Sequence, residues 1–439
     1  MTSLVKRTGA VCAIMLAFAC VKINAQSVDP QFEVATWQGF RKAAISYTFD
    51  DECANQVAKA IPMMNELHFQ GTFFTVINWG PNWSALQNAA DKGHEIASHT
   101  VSHPNFGEIS DTAQAEEMKN SFDVIRSHIT GLHGMTLAYP YCVPGNDSIT
   151  STYYFAARGC QGYIEKKTPD DFMNISSIIC GDLGAVKTTA EFNNEADTAA
   201  SRGGWCVYLI HGIDGDGGYS PLSSTVLKEG LQYLDSHRDK FWVGTFGNVA
   251  RYVRERNCVS VHELGASDSV ITVSVSDTLA DSIYNYPVTL RRPLPEGWEY
   301  ASGTQNGKEI STTVAELGGK HYIQFDAIPD NGDVMLKASQ APPVVSAIKN
   351  FPAGKEDKLN VRIEHQNLIF TIPDGAENLK EARIYSTNGI PLVNSAIKPL
   401  GSPGSGSISL ADEALVPGLY ILLLSDGNRI WTGKIRILN

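Results

Sequence analysis

Between Arg41 and Glu255 the chain alternates short apolar runs with stretches whose apolar residues recur every three or four positions. The runs at 43–49, 71–77, 95–98, 135–141, 205–210 and 241–245 read as strands. The stretches at 54–67, 83–92, 112–130, 149–158, 191–200, 222–237 and 249–255 read as helices, several opened by Asp, Ser or Pro and closed by Gly. Strands and helices in alternation call for an α/β domain over 40–257 built on a mostly parallel sheet.

Past Asn257 the period changes to two, as in Val270 to Val275, Tyr286 to Leu290 and Lys320 to Phe325, with Gly, Pro and Asn turns between. This predicts a small all-β, sandwich-like module over 258–340. Gln340, Ala341, Pro342 and Pro343 mark a second boundary. Alternating runs at 368–372, 382–385, 419–424 and 430–437 then predict a third module, also β, over 341–439.

The amino-terminal end has a different texture. Lys6 and Arg7 precede an apolar run from Val11 to Val21, shorter than the ~20 residues of a membrane helix, so residues 1–25 are expected to be a signal peptide rather than a membrane span. Cleavage after Ala25 would release the protein, while lipid attachment at Cys20 is the alternative. The chain carries 35 basic and 47 acidic residues, and the leader holds Lys6, Arg7 and Lys22 but no acid, so the mature charge falls from −12 to −15. Such a balance argues against nucleic acid as a partner. Two of eight cysteines lie in the leader. The other six, Cys53, Cys142, Cys160, Cys180, Cys206 and Cys258, would meet an oxidising compartment and form one to three disulfides or stay as structural thiols.

The chemistry gathers where the expected strands end. Thr48, Phe49, Asp50, Asp51 put two acids at the carboxyl end of a strand, the edge on which β/α folds build their sites. His99 and His103 follow another strand four residues apart, a spacing that would bring both imidazoles to one face of a helical turn. A carboxylate with two imidazoles holds a divalent cation and leaves positions open for water and substrate. Tyr139, Pro140, Tyr141 end a third strand, and Leu209, Ile210, His211 a fourth.

In order and content these segments resemble the motifs of the NodB-type polysaccharide deacetylases, carbohydrate esterase family four, over roughly residues 40 to 256. The resemblance implies a distorted (β/α) barrel that removes N- or O-acetyl groups from an acetylated carbohydrate. It assigns Asp51, His99 and His103 to the metal, zinc by ligand type with cobalt or nickel as alternatives. It makes Asp50 the general base, His211 the general acid and the Tyr141 N–H a donor to the oxyanion.

Departures from the family pattern are specific. Ala138 stands where an arginine commonly supports the base, leaving Arg158 or Arg202 as a source of the guanidinium, and Cys142 stands where glycine is usual. Asp182 is the nearest match to the acid that partners the catalytic histidine. A disulfide between Cys53 and Cys142 is one pairing considered. The run from His211 to Tyr219 hints at a calcium loop but lacks its terminal glutamate, and so reads as a flexible active-site loop. Trp79, Trp83, Trp205 and Tyr219 read as core or incidental positions. The tail from Leu415 to Tyr420 and from Lys434 to Ile437 resembles the end of a type IX secretion sorting domain, which implies secretion machinery as a partner and a secreted or cell-surface location. Two other readings stay open: a metal-containing carbohydrate-binding protein without turnover, and an amidase on a non-sugar substrate.

Overall fold

A computed structural model describes residues 26–340 throughout and, beyond them, the strands between 360 and 437. The leader, the boundary at Ala341 to Pro343 and Leu415 to Pro417 lie outside the described residues. The chain divides into two compact units, the first comprising Ile45–Gln232 and Val243–Ala250, the second Ala25–Ala44, Tyr233–Trp242 and the residues from Arg251 on.

The first unit is α/β. Its sheet contains β1 (Ala43–Asp50), β2 (Thr72–Thr75), β3 (Glu95–Ser98), β4 (Thr136–Ala138), β5 (Ala156–Arg158), β6 (Ile178–Ile179) and β7 (Trp205–Ile210), in the order β5-β4-β3-β2-β1-β7-β6. Pairing is parallel from β1 through β5 and between β6 and β7. All eight residues of β1 and all six of β7 are buried, because helices cover a parallel sheet on its faces; hence the unbroken apolar runs. The sheet curls. The segment from Phe172 to Cys180 meets β5 through Ala157 N to Phe172 O at 2.8 Å and Ile175 N to Ala157 O at 2.9 Å, and meets β7 through Cys180 N to Leu209 O at 2.8 Å. One stretch of chain thus reaches both edges of the sheet and brings Arg158 round towards β1.

Helix ends follow their caps. Ser110 accepts from Ala113 N–H at the start of Asp111–His128, and Thr188 with Glu191 forms a capping box at the start of Thr189–Arg202, which Gly203 closes at φ 64°. Two expectations need correction. The helix foreseen over 149–158 is Asp147–Tyr153, and Ala156–Arg158 is strand, since pairing with β4 overrides the helical preference of Ala-Ala-Arg. The strand foreseen over 135–141 stops at Ala138. Pro140 then opens a turn in which Tyr141 adopts φ 56°.

The second unit is mostly antiparallel β, with one parallel pairing between Ser27–Val28 and Ser260–Val261. Ser260–Ala266, Val270–Ser276, Tyr300–Gln305, Lys308–Ile310 and Val334–Ser339 form a six-stranded sheet with Ser27–Val28. Val288–Pro293, Thr312–Leu317 and Lys320–Ala327 form a four-stranded one with Glu33–Val34. The first residues after the expected leader are therefore built into this β unit. Between 360 and 437 two further four-stranded antiparallel sheets share one apolar cluster that includes Leu368, Phe370, Ile384, Leu422 and Trp431.

Within this unit the buried Glu255 accepts the Tyr286 N–H at 2.7 Å on Oε1, while Oε2 has no hydrogen-bond partner. Burial pushes its pKa up to about 8, against the backbone bond from Tyr286 and the charge of Arg251, which pull it down. A folded-state pKa raised above the unfolded value gives stability that is full below about pH 4.5 and is lost as pH rises through about 8. Glu255→Gln is therefore expected to flatten the fall in Tm between pH 5 and pH 8 and to raise Tm at pH 8 by roughly 3–6 °C, read by calorimetry.

Candidate metal centre and catalytic site

Asp50 is the last residue of β1, and the two residues after it turn with positive φ, 70° at Asp51 and 51° at Glu52. Neighbours along a strand face opposite ways, but this left-handed turn lets two consecutive carboxylates face one imidazole. His99 Nε2 lies 3.8 Å from Asp50 Oδ2 and 3.5 Å from Asp51 Oδ1, and His103 Nε2 lies 3.7 Å from the same Asp51 oxygen. Ligand atoms of Asp51, His99 and His103 all fall within 4.8 Å of one another.

The histidine loop is not the helical turn that the spacing suggested. His99 follows β3 directly, and Thr100 and His103 take φ values of 72° and 59°. The Thr100 hydroxyl accepts the His103 N–H at 3.0 Å, and Glu117 accepts the Val101 and Ser102 N–H groups at 2.8 and 2.9 Å. A braced loop therefore converges the imidazoles.

Proton placement suits these three residues to a cation. His99 Nδ1 lies 2.8 Å from the Ala138 carbonyl, which can only accept, so Nδ1 carries the hydrogen and the Nε2 lone pair faces Asp51. Burial lowers the His99 pKa to about 4, so the ring is neutral at pH 7. Asp51 Oδ1 is buried and accepts no hydrogen bond, and burial with the charge of Asp50 raises the Asp51 pKa to about 7. Lone pairs facing an orphaned carboxylate oxygen fit a divalent cation, and imidazole with carboxylate suits zinc, cobalt or nickel.

Asp50 is set apart from that trio. Its Oδ2 pairs with the guanidinium of Arg158, which is itself buried. Burial pushes the Asp50 carboxyl up, but Arg158, His99 and His211 together outweigh it, and the pKa lies below the ordinary carboxylate value. His211, at the end of β7, places Nε2 3.9 Å from Asp50 Oδ2 and 3.9 Å from Asp51 Oδ2. Its pKa is lowered, mainly by burial. The Gln56 amide donates to the carbonyls of both Asp50 and His211, tying the ends of β1 and β7 together. Tyr141 stands exposed in its positive-φ turn with its ring 4.8 Å from that of His103.

Of the two arginines considered for the guanidinium that Ala138 lacks, Arg158 is the one on Asp50. The strand Ala156–Arg158 delivers it, where the sequence suggested a helix. Asp182 does not partner His211, whose Nδ1 has no hydrogen-bond partner. Cys142 is disulfide-bonded to Cys160 rather than Cys53, which is free with Cys180, Cys206 and Cys258. In the loop after His211 the acids are already engaged. Asp214 accepts from Lys59 at 2.5 Å and Ser224 N at 2.9 Å, and Asp216 accepts from Ile213 N, Gly218 N and Asn55 N at 3.2 Å each. These bonds tie the acids of the loop to its own backbone and to Lys59, Asn55 and Ser224. Trp205 is buried core and Trp83 stacks on His128, as expected, but Trp79 and Tyr219 are exposed beside the site. Sequence reasoning also passed over Glu52, next to Asp51, whose pKa burial raises to about 7, and Gln56.

Residues 38–154 match the family model described as polysaccharide deacetylase. The protein named gellan lyase from Bacillus sp. is 28% identical over 332 residues, which cover 71% of this chain but only 13% of that protein. Among solved structures, the Xyl-CE4 domain of a multidomain xylanase from the hindgut metagenome of Trinervitermes trinervoides is 19% identical, with 47% of this chain and 88% of that one covered and a TM-score of 0.35. A family 4 acetyl xylan esterase from Clostridium thermocellum, in complex with cobalt, is 16% identical with a TM-score of 0.35, over 47% of this chain and 89% of that one.

Proposed function

We propose that this protein is a secreted, metal-dependent hydrolase that removes N- or O-acetyl groups from a polysaccharide or oligosaccharide. The observation that carries the reading is the buried, unpartnered Asp51 oxygen facing the Nε2 atoms of two histidines. Asp51, His99 and His103 would hold the cation. When bound, such a cation acidifies a water and polarises the acetyl carbonyl.

The remaining groups divide the proton work. Asp50, held by Arg158 and kept in its charged form, accepts the proton of the attacking water. His211, 3.9 Å from that carboxylate and neutral in its buried position, takes that proton on from Asp50 and delivers it to the departing nitrogen or oxygen. The Tyr141 N–H, in its positive-φ turn, donates to the developing oxyanion. Arg158 on Asp50 also removes the motive for a binding protein without turnover, which rested on Ala138.

Acetate release from acetylated xylan, chitin oligomers and peptidoglycan, lost on chelation and restored by zinc, cobalt or nickel, tests the reading. No acetate from any of them with a cation bound would favour the binding protein, and turnover of small N-acyl amides alone would favour an amidase. Export is part of the proposal, supported by the leader pattern and the tail. It predicts Gln26 as the first residue of the mature protein, and a protein retaining residues 1–25 would contradict it.

A pH effect follows from Asp51. Its proton, bound with a pKa of about 7, competes with the cation, whereas the His99 proton does not until about pH 4. Cation affinity by calorimetry is expected to fall as pH drops below about 7, approaching roughly tenfold per pH unit.

A further inference from the structure

Tyr141 and Cys142 are consecutive residues in left-handed backbone, at φ 56° and 60°. Neither is glycine, so the turn is strained and has to be held by something outside itself. Its backbone bonds are local, Cys142 N–H to Tyr139 O at 3.1 Å and Val143 N–H to Pro140 O at 3.2 Å. The covalent tie to a distant part of the unit is the disulfide from Cys142 to Cys160, 18 residues further on.

The Cys160 end of that bond is anchored. Just before it, the Arg158 carbonyl accepts the Tyr139 N–H at 3.1 Å, and Gly159 donates to Ile175 O at 2.8 Å and accepts from the Ser177 hydroxyl at 2.7 Å. The same Ser177 oxygen accepts from Arg158 Nη1 at 3.1 Å, while Arg158 Nη2 holds Asp50. The disulfide therefore joins the turn that presents the Tyr141 N–H to the frame that sets the Arg158 guanidinium. Two groups with separate tasks, one at the oxyanion and one on the base, share one covalent staple. Cys142 and Cys160 are both partly exposed, whereas the free thiols of Cys180, Cys206 and Cys258 are buried.

We propose that the Cys142–Cys160 disulfide is a positioning element of the active site, holding the Tyr141 N–H and the Arg158 guanidinium in one frame, so that turnover needs the cystine and cation binding does not. An oxyanion donor acts only when held within about 0.5 Å of its place, and a strained turn freed of its staple relaxes away from it. The cation ligands stand on other loops, Asp51 after β1 and His99 and His103 after β3. Activity is thereby tied to an oxidising compartment. A staple that served stability alone would lower Tm on removal and leave kcat unchanged. The kinetic consequence rests on the deacetylase reading, the ordering of the turn does not, and the two are measured separately.

The first measurement is acetate release from acetylated xylan and chitin oligomers by the zinc-loaded Cys142→Ser/Cys160→Ser variant, well below its own Tm. Its kcat is expected to fall about tenfold or more, with KM and zinc affinity each within about threefold of the unaltered protein. Should the variant not fold, the unaltered protein is reduced with dithiothreitol, which passes two electrons and two protons to the cystine and closes to its own cyclic disulfide. After desalting and reloading with zinc, kcat should be lowered by the same factor and return when oxidised glutathione re-forms the bond. The second measurement needs no turnover: amide hydrogen exchange of zinc-loaded protein. Without the cystine the amides of Tyr141 to Val143 should exchange about tenfold faster, while those of Trp205–Ile210 hold. Faster exchange confined to the turn supports the staple even where the unaltered protein releases no acetate, in which case the deacetylase reading alone fails. An unchanged kcat with a lowered Tm, unchanged exchange at the turn, exchange faster throughout the sheet, or a loss of zinc affinity as large as the loss of kcat overturns the proposal.

Discussion

Replacing Asp50 with asparagine is expected to reduce acetate release by about a thousandfold or more in kcat while leaving cation affinity within roughly tenfold. Asp50 reaches His99, His211 and Arg158 but is not one of the three residues whose ligand atoms converge, so its loss removes a base and not a ligand. Steady-state kinetics with calorimetric cation titration reads both quantities. A parallel collapse of cation affinity would assign Asp50 to the metal instead.

Arg158→Met is expected to be damaging in a different way. Both members of the Arg158–Asp50 pair are buried, and removing one partner of a buried ion pair leaves an uncompensated charge that typically costs about 3–5 kcal/mol. The variant should lose Tm and activity together. Adding Asp50→Asn should recover most of the Tm, because the orphaned charge is gone, yet none of the activity. Denaturation curves of the two single variants and the double variant measure the coupling. Additive losses would mean that the pair is not an energetic unit.

Much of the site could be read from the chain because its residues sit where strand periodicity stops. Asp50 and Asp51, His99, and His211 each lie at or just past the carboxyl end of a buried apolar run, and such runs survive in the structure nearly unchanged, as 95–98 and 205–210 do. What was not legible depends on partners distant in sequence. Arg158 could be named beside Arg202 as a candidate but not chosen, because it is 108 residues from Asp50 and reaches it through the pairing of Ala156–Arg158 with β4, where the local composition favours helix. The four-residue spacing of His99 and His103 mimics a helix, but Thr100 and His103 adopt left-handed backbone that residue type does not announce. Cys142–Cys160 crosses from the Tyr141 turn to the loop after Arg158, a proximity that no cysteine spacing encodes. Exposure, which separates Trp79 and Tyr219 from Trp205, is a property of the folded chain alone.

The central claim is that Asp51, His99 and His103 hold the cation on which hydrolysis depends. Its most direct test is a zinc titration of chelator-stripped protein in which bound metal and acetate release from one acetylated glycan are measured on the same samples, for the unaltered chain and for Asp51→Ala. The account predicts that activity rises in step with the first equivalent of zinc and saturates there, with neither binding nor activity in the variant. Acetate release that persists without metal, or one zinc bound with full activity in Asp51→Ala, would contradict it.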